Sequence, residues 1–445
     1  MSNRSLITRD LTALLRLSWP VVLSRLGIMT MGLVDAVVVG HYSAEHLGYQ
    51  TLGWAPTGVL ITAAVGLLAG VQIMAARHIG EGRPEATGGV YRRGLLYALW
   101  LGIVGGAALL LLGPLGLRSM GVDPKLAAGA SAVLTVLALS MPFHLTSNAG
   151  IFFLEALSRP KPATIAMWFC NLVNLGLNLL LVPGALGFPE LGAVGSAWAT
   201  LGSRALLALI IFVYILRLPD ARALGLFAKP IDGPVAAMQQ RRVGYGGGAS
   251  YFVEAGAFAA MGLIAAWIGE SAVAGWGVVL NATAVIFMIP LGLSAATAVL
   301  VGQAYGAGNR RGVVRAGNLG FCVTIAVLSV ISLLVAVFPN TIAGVYTDDP
   351  KLIGLAAAAL VLGSLYFICD GLQAVAAQAL RARGDVLVPT LTHIISYVLI
   401  MIPLAWWLAI PLGMGLVGIV WAVIAASISA AAFLLARFWI LARRG

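Results

Sequence analysis

Residues Pro20 to Gly40 read PVVLSRLGIMTMGLVDAVVVG, an almost wholly apolar stretch with two charges, Arg25 and Asp35. A helix rises about 1.5 Å per residue, so about 20 apolar residues cross the hydrocarbon core of a bilayer. This stretch has that length, and the apolar pattern around it runs from 14 to 40. It is longer than the core of a secretory leader and no A-x-A-like site closes it, so a retained membrane helix is expected. Runs of the same kind, bounded by charges, Gly or Pro, follow at 48–74, 94–115, 127–149, 163–183, 193–216, 245–268, 276–303, 316–338, 352–380, 388–410 and 416–440. Twelve spans are expected, with no separate soluble domain.

Composition agrees: 60% of the 445 residues are hydrophobic and 10% charged, less than half the charged share of soluble domains. The net charge of +11 would suit nucleic acid only if the basic residues shared one solvated face. They are scattered among short loops instead, so no nucleic-acid partner is expected. Of 27 Lys and Arg, 22 fall on one side of the twelve runs, Arg118, Lys125 and Lys351 fall opposite, and Arg25 and Arg204 lie within runs. The positive-inside rule then makes both termini cytoplasmic in a multi-pass protein of the cell inner (plasma) membrane. The alternation also supports the span count, because a missed span would reverse every later loop. Cys170, Cys322 and Cys369 all lie in apolar runs, so neither a disulfide nor a structural metal site is expected. No metalloprotease, hydrolase or Walker A motif is present, which argues against an enzyme and against an ATP-driven pump.

The chain repeats itself. RHIGEGR (Arg77 to Arg83) after the second span resembles QAYGAGN (Gln303 to Asn309) after the eighth, with Gly80 and Gly306 226 residues apart. EALSRPK from Glu155 resembles QALRARG from Gln378, and LGAVGSAWA from Leu191 resembles MGLVGIVWA from Met414, both at an offset of 223. Each repeat holds six spans, an even number, so both halves share one orientation. The expected architecture is an all-α polytopic membrane protein: twelve transmembrane helices in two pseudo-symmetric six-helix bundles with a central cleft. An N-lobe (1–216) and a C-lobe (244–445) are joined by a cytoplasmic linker (217–243).

A charge at the bilayer centre costs at least about 2.5–3.5 kcal/mol on insertion scales, so one that persists points to function. Three acidic residues lie deep: Asp35 in the first run, Glu254 in the seventh and Asp370 in the tenth. Glu254 and Asp370 fall at similar depth, and Tyr366 precedes Asp370 by four residues, on the same helical face. Carboxylates desolvated side by side tend to hold a proton, and their oxygens equally suit a small hard cation such as a transported Na⁺. Asp35, in the other half, forms a second site. The alternative for each acid is a basic partner and a purely structural role. Asn171, Asn174 and Asn178 make a polar stripe on the fifth span that belongs inside the first bundle, either in plain interhelical bonding or with Asn174 and Asn178 completing a network around Asp35. Arg204 needs a partner at the centre of its span. Prolines 20, 142, 290 and 403 fall within spans, as hinges or static kinks.

On these residues the chain resembles the MATE (multidrug and toxic compound extrusion) family, NorM-like branch. The carrying segments are PVVLSRLGIMTMGLVDAVVVG, LEALSRPKPA (Leu154 to Ala163), YFVEAG (Tyr251 to Gly256), GQAYGAGN (Gly302 to Asn309) and YFICDGLQAVAAQALRARGD (Tyr366 to Asp385). The resemblance implies two six-helix lobes alternating between outward- and inward-facing states, and export of cationic or amphipathic organic compounds in exchange for H⁺ or Na⁺. It marks Asp35 as the N-lobe acid, matches Glu254, Tyr366 and Asp370 to the C-lobe cation site, and matches Asn174 and Asn178 to asparagines near the N-lobe aspartate. Arg25 departs from the small or uncharged residue expected there. No cofactor beyond the coupling ion is expected; the partners are the bilayer, the organic substrate and H⁺ or Na⁺, and the chain is expected to be a monomer. The competing readings are a flippase of lipid-linked substrates, which would favour a more basic cavity, and a gated channel.

Overall fold

The computed structural model describes residues 3–119, 123–229 and 233–444, and their regular structure is helical. Among them, twelve helices are long and apolar enough to cross a membrane. These are α1 (Ser5–Tyr42), α2 (Ala44–Gly80), α3 (Pro84–Ser119), α4 (Pro124–Ala156), α5 (Lys161–Leu181), α6 (Gly192–Leu216), α7 (Pro234–Ile268), α8 (Glu270–Gly306), α9 (Arg310–Val337), α10 (Pro350–Ala382), α11 (Leu387–Ala409) and α12 (Gly415–Arg443). Each apolar run falls on one of them. The middle of the expected linker, 230–232, and Gly445 lie outside the described residues.

The helices outrun the apolar segments at their polar ends. Helix α7 starts at Pro234, well before the run at 245, because Pro suits the first helical position and the Ala, Met, Gln and Arg that follow are good helix formers. The linker is correspondingly shorter than 217–243, and it is strapped down. Gly88 N donates to Leu224 O at 2.7 Å and Arg92 to Leu226 O at 2.6 Å. Gly225 sits at φ +68°, where a side chain would be strained.

Helix ends carry the repeat. Asp123 caps α4 through the N–H groups of Lys125 (2.9 Å) and Leu126 (3.1 Å); 226 residues on, Asp349 caps α10 through Lys351 N at 2.9 Å. Each cap is followed by Pro and Lys. Gly82 (φ +70°) and Gly308 (φ +64°) close α2 and α8 in the left-handed region, and Arg83 N→His78 O recurs as Asn309 N→Ala304 O, both at 2.9 Å. The end of α4 requires a correction to the expected alignment. Leu157 N→Phe153 O and Arg159 N→Leu154 O recur as Arg383 N→Ala379 O and Asp385 N→Leu380 O. The equivalence is therefore 226 and not 223 residues: alanine-rich helices slip by about one turn without changing face. Glu155 thus corresponds to Arg381.

Contacts divide the chain into Leu23–Gly248 and a second unit combining the residues up to Val22 with those from Ala249. These limits differ from the lobes expected from the loops, because α1 and α7 each contribute to both units. In the first unit α4 packs against α2, α3 and α6, and α5 against α6; in the second, α10 packs against α8, α9 and α12, and α11 against α12. The two patterns are the same with every helix advanced by six. Leu111, Leu112 and Leu115 on α3 are 70%, 66% and 62% exposed. Such a strip is a liability in water and the ordinary outer face of a helix in lipid, where backbone polar groups are satisfied within the helix.

Candidate functional site

Glu254 on α7 and Asp370 on α10 are brought together in the second unit. One amide bridges them: Gln373 Nε2 lies 3.3 Å from Glu254 Oε1 and 3.5 Å from Asp370 Oδ1. Asp370 Oδ1 also accepts from the Tyr397 hydroxyl on α11 (3.2 Å) and the Ser427 hydroxyl on α12 (3.5 Å). All five side chains are buried. Neither carboxylate has a salt-bridge partner among the described residues; Arg381 lies near enough to act on Glu254 electrostatically, while its guanidinium donates to Ser250 Oγ at 2.6 Å. Two acids held by neutral donors are not the paired, purely structural charges of the alternative reading. A small cavity lined by Thr283, Phe287, Pro290 and Phe367 opens onto Asp370.

Tyr366 differs from expectation. Its hydroxyl bonds Thr283 Oγ1 on α8 at 2.8 Å, and the phenol on Asp370 is that of Tyr397. Helical side chains lean towards the N-terminus, so a tyrosine one turn before the aspartate points away from it. Tyr397 lies in a π-helical stretch, Ile394–Met401, just before Pro403. Proline supplies no N–H and crowds the preceding turn, and widened turns of this kind re-aim side chains.

In the first unit Asp35 is fully buried. Asn178 Nδ2 donates to its Oδ1 at 2.7 Å and Thr200 Oγ1 to its Oδ2 at 2.5 Å. Asn174 lies close enough to bear on this carboxylate, but its amide makes no hydrogen bond among the described residues. Asn171 turns elsewhere, donating to Gly27 O at 2.9 Å. Arg204 donates to Ser140 Oγ at 2.7 Å and lies over the Trp54 ring, 5.1 Å from its centroid. It acts on Asp35 through space without forming an ion pair.

Arg25 is separate from that site. Its guanidinium pairs with Glu155 (3.0 and 3.2 Å), whose Oε2 also accepts from Gln72 Nε2 at 2.7 Å, and it lies 5.2 Å from the Phe152 ring centroid. Glu155, expected in a loop, is a buried residue in the last turn of α4. Arg381 was likewise counted with loop residues and is buried in α10. Sequence reasoning also missed Thr200, Gln373, Tyr397 and Ser427; uncharged polar side chains within apolar helices carry little signal.

The MatE family model matches the chain twice, over residues 20–180 and 248–407. The "Probable multidrug resistance protein NorM" of Caulobacter vibrioides is 54% identical over 435 residues, covering 98% of this chain and 92% of that protein. The "Multidrug resistance protein PmpM" of Pseudomonas aeruginosa is 31% identical over 419 residues, covering 92% and 84%. A solved structure of a MOP superfamily transporter from Pyrococcus furiosus matches with a TM-score of 0.90 at 21% identity, covering 98% of this chain and 96% of that one. At that identity the likeness concerns the fold.

Proposed function

Because the chain belongs to the MatE family, we propose that it is a secondary active multidrug exporter, a multi-pass membrane protein that drives organic compounds across the bilayer in exchange for H⁺ or Na⁺. Its substrates are drug-like, cationic or amphipathic molecules, in keeping with the multidrug resistance names of its relatives. It resides in the cell inner membrane with both termini cytoplasmic, the side favoured by 22 of its 27 basic residues. It is a transporter and needs no catalytic residue.

The observation that carries this reading is the Glu254 and Asp370 pair, buried and bridged by Gln373 with no cationic side chain among the described residues bonded to either acid. Two acids in an apolar setting are costly unless a proton or cation joins them. A cation that binds one conformation more tightly than another biases the equilibrium between them, which is what coupling requires. Asp35, with Asn178 and Thr200, is a second acidic site for ion or substrate.

Proteoliposomes loaded with a fluorescent organic cation test this, first under an imposed H⁺ gradient and then under an Na⁺ gradient. Uphill substrate movement under one gradient is expected and names the ion. Dissipation of the gradient with no uphill movement identifies a channel, and no movement under either gradient overturns the proposal.

A further inference from the structure

His393 on α11 is 2% exposed, and neither of its ring nitrogens makes a hydrogen bond among the described residues. Buried polar side chains nearly always have a partner, so an imidazole without one calls for a role. A neutral imidazole offers one N–H and one free lone pair. Arg381 acts on the ring through space from α10 without bonding it. One turn further along α11 is Tyr397, whose ring meets the imidazole edge to face with centroids 5.7 Å apart. Helical side chains lean towards the N-terminus, so the phenol leans over the turn that carries His393. Phe258 on α7, one turn after Glu254, tilts against the same phenol ring at 6.3 Å.

The Tyr397 hydroxyl donates to Asp370 Oδ1 at 3.2 Å, and a hydroxyl has a single proton to donate. Its hydrogen bond to an ionised carboxylate is stronger than one to a neutral acid. A proton or Na⁺ arriving at Asp370 therefore competes with the phenol, and a buried hydroxyl left without an acceptor opposes binding of the ion. Ser427 bears on the phenol too, but its own hydroxyl donates to Asp370 at 3.5 Å and loses the same acceptor. His393 has an acceptor to spare. The stretch that carries Tyr397, Ile394–Met401, is π-helical, a widened helix of the kind that recurs at functional sites.

We propose that His393 positions Tyr397, taking the phenol's hydrogen bond when the coupling ion occupies Asp370 and returning it when the ion leaves. The imidazole thereby raises the affinity of the acid pair for its ion without touching the ion itself. It is a positioning residue and serves H⁺ and Na⁺ alike. The inference rests on the cation-site reading proposed above.

The full chain in detergent, titrated with H⁺ and separately with Na⁺, tests it through the thermal unfolding midpoint, which rises as an ion binds the folded state. Ion affinity is read as the half-point of that part of the response which Asp370→Asn abolishes. We expect His393→Phe, which keeps a ring and removes the acceptor, to weaken the affinity about fivefold, the effect of one neutral hydrogen bond. His393→Leu should do the same and carries the test if the phenyl ring prevents folding. His393→Gln, whose amide oxygen accepts, should stay near wild type. In a Tyr397→Phe background the His393→Phe change should leave affinity unaltered, because no hydroxyl remains to be received. Equal weakening with and without the Tyr397 hydroxyl overturns the proposal, since the effect would not pass through the phenol. A purely structural histidine would lower the midpoint at every ion concentration and leave the half-point in place; with a responsive wild type, that result overturns this inference alone. A wild type that responds to neither ion overturns the cation-site reading and this inference together.

Discussion

At Glu155 one carboxylate serves two buried donors, Arg25 and Gln72. Breaking a buried ion pair from one side typically costs about 3–5 kcal/mol, because the remaining charge is left uncompensated, whereas removing both charges is far milder. Glu155→Gln should therefore lower the thermal unfolding midpoint in detergent sharply, and Arg25→Gln with Glu155→Gln should recover most of the loss. Asp35 makes a different prediction. Its partners Asn178 and Thr200 are neutral, so Asp35→Asn leaves no orphaned cation bonded to it; insertion should persist while export falls by more than about tenfold, or ~1.4 kcal/mol. Drug resistance at matched expression measures this, and normal resistance would make Asp35 structural. The deep acids were legible because a lone charge stands out in an apolar run. Glu155 was not: it lies beside Arg159 and Lys161, which read as a loop, and only the fold shows that the last turn of α4 is buried. Thr200, Ser427 and Tyr397 were illegible for the reason that hydroxyls are inexpensive in a helix, where they can bond the preceding turn.

Helix ends set the next scale. Gly82 and Gly308 both occupy left-handed backbone with open space where a Cβ would stand, so conformational strain is the only expected effect of adding one, about 1–2 kcal/mol. Gly82→Ala and Gly308→Ala should lower thermal stability by similar amounts; a large fall in one alone would break the equivalence of the two repeats. The elements themselves were readable from apolar length. Their polar extensions were not, as α7 shows: Gln239 to Arg242 end the hydrophobic pattern while helix propensity and packing on α2 continue the helix. The D-P-K caps at Asp123 and Asp349 were a legible repeat signal at 226 residues that the apolar pattern obscured. The 223-residue match at Ala156 was misleading because alanine recurs so often. Nothing in composition announced the π-helical turn that aims Tyr397 at Asp370; Pro403 marked only that a distortion lies nearby.

For the molecule as a whole, the proposed orientation follows from the excess of basic residues on one side. A reporter fused near Leu224 or after Gly445 should read cytoplasmic, and one near Asp348 periplasmic; a periplasmic signal after Gly445 would contradict twelve spans. The central claim is that Glu254 and Asp370, joined by Gln373, hold the cation whose binding drives export. Removing one acid from the pair removes the differential cation affinity on which coupling depends, while Asn and Gln keep size and polarity. The most direct measurement is gradient-driven efflux in proteoliposomes by Glu254→Gln and Asp370→Asn beside the wild type. The account predicts that each variant folds and loses uphill transport; efflux near the wild-type rate in both would contradict it and leave Asp35 as the coupling acid.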